Sequence, residues 1–347
     1  MIEEVHGELR ESVWSAAEAG RLKERMHEDG YLLLRGLLPP ERVAAVRADI
    51  LGVCARHGWL SGARATEDSV APGSECEPPD PRYYAAYREV VSLESYDTLA
   101  HSPALLDVAR TLLEDEEVLP RPAKLARLMF PQQGGVGATP PHQDYPHEQA
   151  TADSYTTWIP MGDVDRALGG VALRPGSHRQ GVLEHGFVPG IGGLGVKESA
   201  TGSPHWLGTE YRMGDVLVFH SLTLHGALPN RSGERLRISA DFRYQRAADP
   251  MTPHMLKPSG GQLDWPEVYA DWQSDEFQYY WHPWQLRTVP YDRTYYGKRD
   301  EEAFERAAEG DPHARRFLTT ISTRNPDPAV RERAEALLAR FEDGADR

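Results

Sequence analysis

Gly214-Asp215-Val216-Leu217-Val218-Phe219-His220-Ser221-Leu222-Thr223-Leu224-His225-Gly226-Ala227-Leu228-Pro229-Asn230-Arg231-Ser232-Gly233 is the stretch whose reading decides the fold. Gly-Asp is a turn pair, and the apolar run after it has strand length and strand composition. A second strand over 222–227 carries His225, and a polar turn rich in Pro, Asn, Ser and Gly follows. The next strand opens Arg235-Leu236-Arg237-Ile238-Ser239. Short strands joined by tight turns argue for an antiparallel sandwich or barrel.

Working outward, the same texture holds from about residue 117. Strands are expected over 123–130, 155–160, 170–174, 215–220, 222–227 and 235–244. Upstream the pattern is helical. An amphipathic helix is expected over 14–29, stopped by Gly30, then a buried strand over 31–35. Pro39-Pro40 opens a second helix that runs to about 57, and further helices are expected near 82–93 and 103–115. Residues 59–80 are rich in Gly, Pro, Ser and Glu without a period and read as a mobile loop of the kind that forms lids. After 250 the chain reads as irregular and rich in Trp, Tyr and Pro, with a charged helix near 327–342. The organisation expected is one domain over 1–347: a helical part (1–116) containing the loop 59–80, a β core (117–250), and an aromatic-rich tail with a C-terminal helix (251–347). The class is mainly β with flanking helices.

Composition narrows the function. The net charge of -15 offers no basic footprint for nucleic acid. The chain contains no apolar run of membrane-spanning length, and its opening residues lack the basic and apolar regions of a secretory leader. Two cysteines, Cys54 and Cys76, exclude a disulfide scaffold or a Cys-rich zinc site and suit a reducing cytoplasm. A small-molecule substrate is the partner expected.

Pro141-His142-Gln143-Asp144 supplies the chemistry. A His and a carboxylate two apart on an extended segment project to one side and can share a metal. Alone this is weak: His27-Glu28-Asp29 has the same spacing, but at a helix end, where the pair diverges into solvent. His225 adds the third ligand of a two-His, one-carboxylate facial triad, which holds Fe(II) and leaves one face open for 2-oxoglutarate and O2. His220 competes with His225 for this role. The distal carboxylate of 2-oxoglutarate calls for a buried Arg, whose planar fork meets a carboxylate bidentately. Arg235 and Arg237 share one strand parity, so alternation does not choose between them.

Residues 120–245 resemble the phytanoyl-CoA dioxygenase family of Fe(II)/2-oxoglutarate oxygenases. The resemblance lies in Thr157-Trp158-Ile159-Pro160 through Gly169-Gly170 to Pro175-Gly176-Ser177-His178, and in the run His225-Gly226, Asn230, Ser232, Arg237, Tyr244. It implies a double-stranded β-helix (a jelly-roll, cupin-like core), with Fe(II), 2-oxoglutarate and O2 as cofactor and cosubstrates. C–H hydroxylation is its default reaction. It also implies His142, Asp144 and His225 as the metal ligands and favours Arg237 over Arg235 at the cosubstrate carboxylate. Trp158 resembles a position lining the cosubstrate pocket. Gln133 and Tyr145, with Lys124 and Arg127, are expected toward the pocket mouth; Arg243, further along the face of Arg237, is expected to contact substrate or Asp241 or to form a plain ion pair. His178 is expected to be structural, and the cluster 277–284 to pack over the barrel, to wall the substrate or to form part of a dimer contact. Related halogenases have Ala or Gly where Asp144 stands, so halogenation is disfavoured. The same iron chemistry ending in desaturation, epoxidation or cyclisation stays open, as do a protein hydroxylase and a non-catalytic ligand-binding jelly-roll.

Overall fold

Side-chain alternation along a few strands separates two apolar layers. They are seen in a computed structural model that describes residues 2, 4–61, 68–132, 138–201, 205–259 and 263–344. Two short strands, β1 (Gly7–Glu8) and β2 (Glu11–Ser12), precede α1 (Ala19–Asp29) and β3 (Tyr31–Leu34). Helices α2 (Pro40–Arg56), α3 (Pro81–Val91), α4 (Glu94–Leu99) and α5 (Pro103–Leu113) follow. Three of these four open on proline, whose missing N–H would have had no helical partner there. The Asp80 carboxylate caps α3 by accepting from the Arg82 N–H at 2.8 Å.

The β region then runs β4 (Val118–Pro120), β5 (Leu125–Met129), a single helical turn α6 (Tyr145–Glu148), and β6 (Tyr155–Pro160). It continues through β7 (Val171–Leu173), β8 (His185–Phe187), β9 (Leu194–Val196), α7 (Glu198–Thr201) and β10 (Leu207–Gly208). It ends in β11 (Val216–His220), β12 (His225–Ala227) and β13 (Arg237–Arg246). The larger sheet has the order β2-β3-β11-β6-β13-β4, and β5 also pairs with β13. The smaller sheet has the order β1-β10-β7-β12. β13 is long enough to take β6 along one edge and both β5 and β4 along the other. The seven strands expected from the sequence, one over 31–35 and six in the β region, are present. The short strands β1, β2, β4, β8, β9 and β10 went unread: two or three residues are too few for a period, and unlike the equally short β7 and β12 they carry no motif that marks them.

On the larger sheet, Leu32, Leu34, Ile159, Val216, Val218, Ile238, Ala240, Phe242 and Tyr244 face α2–α5 and join one apolar cluster. The opposite face presents Tyr31, Leu33, Trp158, Leu217 and Phe219 to Val171, Leu173 and Tyr211 of the smaller-sheet side. The two sheets thus sandwich an inner core, the double-stranded β-helix arrangement. β13 departs from this pattern inside the sandwich. Arg237, Ser239, Asp241, Arg243 and Gln245 all point inward and all are buried. Each large apolar side chain on the outer face contributes roughly 1.5–3 kcal/mol, which offsets the cost of a polar inner stripe.

The tail differs from its sequence reading. Beyond α8 (Trp265–Tyr269), two unread helices, α9 (Thr294–Ala308) and α10 (Pro312–Arg324), precede α11 (Pro328–Gly344). Ala303, Phe304, Ala307, Phe317, Leu318 and Ile321 form their common core and meet Phe187 of β8. Half of that stripe is small or isolated among charges, so its period was too faint to read. The 277–284 cluster packs with α8, Leu119 and Val268, and Phe277 stacks on His101 at 4.4 Å between ring centres. The described flanks of the loop 59–80 are tied down rather than free: Leu60 bridges Val70, Ser69 bridges Arg235, and Cys76 is buried. Residues 62–67 lie outside the described residues. No described helix is long and apolar enough to cross a membrane.

Candidate metal centre and cosubstrate site

The segment around His142 lies alongside β12. His142 and His225 exchange both backbone hydrogen bonds, at 2.8 and 3.0 Å. This register places the two imidazoles side by side with ring centres 4.2 Å apart. Gly226 permits the approach, since a Cβ there would meet the Pro141 nitrogen at 3.2 Å. Asp144 completes the group. One donor atom from each of His142, Asp144 and His225 lies within 4.8 Å of the others, and all three residues are buried.

Each group is held in the form a metal needs. The Nδ1 of His142 lies 2.8 Å from the Pro140 carbonyl, and that of His225 lies 2.9 Å from the Thr223 carbonyl. A carbonyl only accepts, so Nδ1 carries the proton and Nε2 keeps its lone pair for the metal. Burial, aided by the neighbouring His142, pushes the His225 imidazole down to about 3, so it stays neutral. Burial would raise the Asp144 carboxyl, but Arg243, His142 and His225 hold it well below the usual carboxylate range. Thr156 on β6 donates to Asp144 Oδ2 at 2.6 Å, while Oδ1 lies 3.6 and 3.8 Å from the two Nε2 atoms. The carboxylate therefore offers Oδ1 to the metal.

Arg237 stands on the inner face of β13 with almost no exposure. Its guanidinium donates to the Gly169 carbonyl at 2.5 Å and the Gly170 carbonyl at 3.3 Å, and it touches the Met129 sulfur. No carboxylate lies within ion-pair distance of it among the described residues. Its Nε and the Ser239 hydroxyl, two residues along on the same face, are both buried without a partner. Burial, with Arg127 nearby, lowers Arg237 to about 10, so it remains a cation at neutral pH. A buried cation beside an orphaned hydroxyl is costly unless an anion completes it. The distal carboxylate of 2-oxoglutarate fits that deficit.

Other candidates fall elsewhere. His220 sits at the strand end, where its Nδ1 accepts from the Leu222 N–H, and it does not join the triad. Arg235 is taken by an ion pair with Asp165 at 2.5 Å, in a partly exposed turn outside the inner stripe. Trp158 packs edge-on to Tyr211 in the inner apolar core and lines no described cavity. Tyr145 likewise does not line the cavity at the triad. Gln133 lies outside the described residues. Arg243 does line that cavity, yet it is engaged by Asp144 Oδ1 at 3.3 Å and by Glu148. Arg127 lines it too, paired with Asp241 at 2.8 Å. Lys124 is instead buried against Asp97 at 2.9 Å. The His178 Nε2 bonds the His27 carbonyl, a structural role.

Two residues at the site went unread. Glu148 joins Arg243 to Arg121 and so anchors the charge chain that ends at Asp144. His147 lines the cavity, with its Nδ1 3.0 Å from the Tyr296 hydroxyl. Both lie one helical turn past Asp144, a spacing the sequence did carry. The cavity at the triad is about 740 Å3, and its far wall comes from residues 253–259 and from Tyr291, Arg293 and Tyr296. The tail does wall the site, but not with the 277–284 aromatics.

The phytanoyl-CoA dioxygenase (PhyH) family model matches residues 26–239, a span that includes the triad and Arg237. A 1-deoxypentalenic acid 11-beta-hydroxylase of Streptomyces exfoliatus is 29% identical over 259 residues, covering 70% of this chain and 85% of that protein. A probable phytanoyl-CoA dioxygenase of Caenorhabditis elegans is 31% identical over 91 residues, 24% of this chain and 29% of that one. Among solved structures, the epimerase SnoN in complex with Fe3+, alpha ketoglutarate and nogalamycin RO aligns with a TM-score of 0.51 and 22% identity. That alignment covers 69% of this chain and 88% of SnoN, a likeness of fold. A family match across more than half of the chain, with two imidazoles and a carboxylate gathered in one buried cluster, leads to one conclusion: the chain belongs to the phytanoyl-CoA dioxygenase family of Fe(II)- and 2-oxoglutarate-dependent oxygenases.

Proposed function

We propose that this oxygenase hydroxylates an aliphatic C–H of a mid-sized organic molecule in the breakdown or tailoring of small metabolites. The observation that carries the reading is the buried cluster of two imidazoles and one carboxylate, His142, Asp144 and His225; Arg237, buried on the inner face of β13 with no carboxylate partner among the described residues, supports it. Iron held by His142, Asp144 and His225 would, with 2-oxoglutarate and O2, supply an oxidant strong enough to break an aliphatic C–H, with succinate and CO2 as coproducts. The chain's own work is positioning. Arg237 and Ser239 fix the distal carboxylate, Thr156 and Arg243 fix Asp144, and Leu125, Ile191, Leu194 and Met255 give the cavity apolar walls. Hydroxylation is the outcome that the name of the Streptomyces relative supports. Desaturation, epoxidation or cyclisation would need the same residues and differ only in how the substrate is held. A non-catalytic binder would have no need of all three ligands and a free buried Arg. Two buried free thiols, Cys54 and Cys76, favour a cytoplasmic site.

The test is anaerobic titration of the apoprotein with Fe(II) and 2-oxoglutarate, watching the visible charge-transfer band of the chelate. A band in wild type that is lost in Asp144→Ala and His225→Ala and weakened in Arg237→Ala supports the proposal, and substrate screening by succinate release follows. No band, with no iron by elemental analysis, overturns it.

A further inference from the structure

The cavity at the triad continues into a second one of about 480 Å3, and the two share Leu125, Arg127, Thr139, His147, Arg293 and Tyr296 as a common neck. The outer chamber is closed by tyrosines of α3 and by side chains of α9 and α10. These two helices lie beyond the residues that the family model matches. This wall therefore belongs to the chain's own elaboration of the fold.

Its charge runs against that of the whole molecule. Arg127, Arg293, Arg299, Arg316 and Arg324 line the chamber, against one carboxylate, Glu77, in a chain of net charge -15. Three of these arginines are committed. Asp241 and Asp300 hold Arg127 and Arg299 and do not themselves line the chamber, and Glu77 holds Arg316. Arg299 is further fixed against the Tyr296 and Phe317 rings, and Arg324 lies over Tyr84 at 4.0 Å. Arg293 differs. It stands on the shared neck, and no carboxylate lies within 4.0 Å of it among the described residues. Low-dielectric walls focus the field of such a cluster, and a cation in a concave mouth is a receptor for an anion.

We infer that the substrate is an amphipathic anion. Its apolar, reacting part occupies the chamber at His142 and Asp144. A carboxylate or comparable oxyanion lies toward the outer chamber, where Arg293 receives it. The inference rests on the oxygenase reading of the inner site and assigns to α9 and α10 the recognition of the substrate's charged end.

Two fluorescent probes test it on the full chain loaded anaerobically with Fe(II) and 2-oxoglutarate. One is 8-anilinonaphthalene-1-sulfonate. The other is N-phenyl-1-naphthylamine, the same ring system without the anion. Arg293→Gln is expected to weaken binding of the sulfonate roughly tenfold, the loss of one hydrogen bond to a charged group, and to change the uncharged probe less than twofold. Arg21→Gln, on exposed α1, is expected to change neither. In wild type, added salt is expected to weaken only the sulfonate. Unchanged sulfonate binding in Arg293→Gln, or equal loss of both probes, overturns the inference. The chelate band of the same wild-type samples separates that failure from a failure of the oxygenase reading.

Discussion

The Thr156 hydroxyl donates to Asp144 Oδ2 at 2.6 Å, and this one bond decides which oxygen the carboxylate turns toward the two imidazoles. Thr156 sits in β6 opposite Arg243 of β13, so two adjacent strands hold the same carboxylate from two sides. Thr156→Val keeps the shape and the strand propensity but removes the donor. Fe(II) affinity should fall about 10- to 100-fold, as for other residues that orient a metal ligand, with little change in Tm. Equal Fe(II) titrations of the two proteins would show that Arg243 alone orients Asp144.

Arg237→Met should separate stability from function. The guanidinium is buried with an unpartnered Nε and no carboxylate partner among the described residues, so the apoprotein is expected to melt no lower, and a few degrees higher if Met packs well. Affinity for 2-oxoglutarate should drop by about 100-fold, the equivalent of two charge-assisted hydrogen bonds. A large fall in Tm with binding intact would make Arg237 a structural residue.

Glu148→Ala should behave in the opposite way. Glu148 stands between Arg121 and Arg243, all three buried; its removal strands the Arg121 guanidinium and leaves Arg243 to Asp144 alone. Uncompensated buried charge costs about 3–5 kcal/mol, to be read as a shift of the urea midpoint. A shift below 1 kcal/mol would mean that water reaches the pair.

Acid should destabilise the apoprotein well above the carboxylate range. Burial, with Lys124 nearby, pushes the His101 imidazole down to about 2, and burial beside His178 pushes His220 down to about 4. The unfolded chain titrates these groups near pH ~6.5. Between the two values the unfolded state holds protons that the folded state lacks. Stability is thus greatest above about pH 6.5 and falls with pH, by at most about 1.4 kcal/mol per unit for each group. The His220 contribution levels off once pH drops below its folded value. His220→Asn, which keeps an acceptor for the Leu222 N–H, should make urea melts between pH 7 and 5 less steeply pH-dependent. An unchanged slope would place the acid sensitivity elsewhere.

The sequence by itself determined the longer strands of the β core and, with the run that follows His225, the three residues of the triad. The reason is local. His142 and Asp144 are two apart on extended chain, and His225 lies between a Gly-Asp turn and an Asn-Ser turn. Turn chemistry and a period of two are written in neighbouring residues. Asn230 shows how directly: it bonds the Met129 and Arg235 carbonyls and accepts from Ser232, closing the turn that sets the register of Arg237. What needed the tertiary structure was every choice between residues of equal local standing. Arg235 and Arg237 share parity and only the resemblance favoured Arg237; the start of β13 puts Arg237 inside while Arg235 meets Asp165 in a turn. Trp158 and Arg243 both point inward, yet one meets Tyr211 in an apolar layer and the other meets Asp144 and Glu148. The outer chamber was illegible for the same reason. Arg127 and Arg293 lie far apart in the chain, and no local pattern says that α9 and α10 will pack against β8. Such a pairing is fixed by which apolar faces find each other, Phe187 against Phe317 here, and a packing partner so distant in sequence leaves no periodic trace.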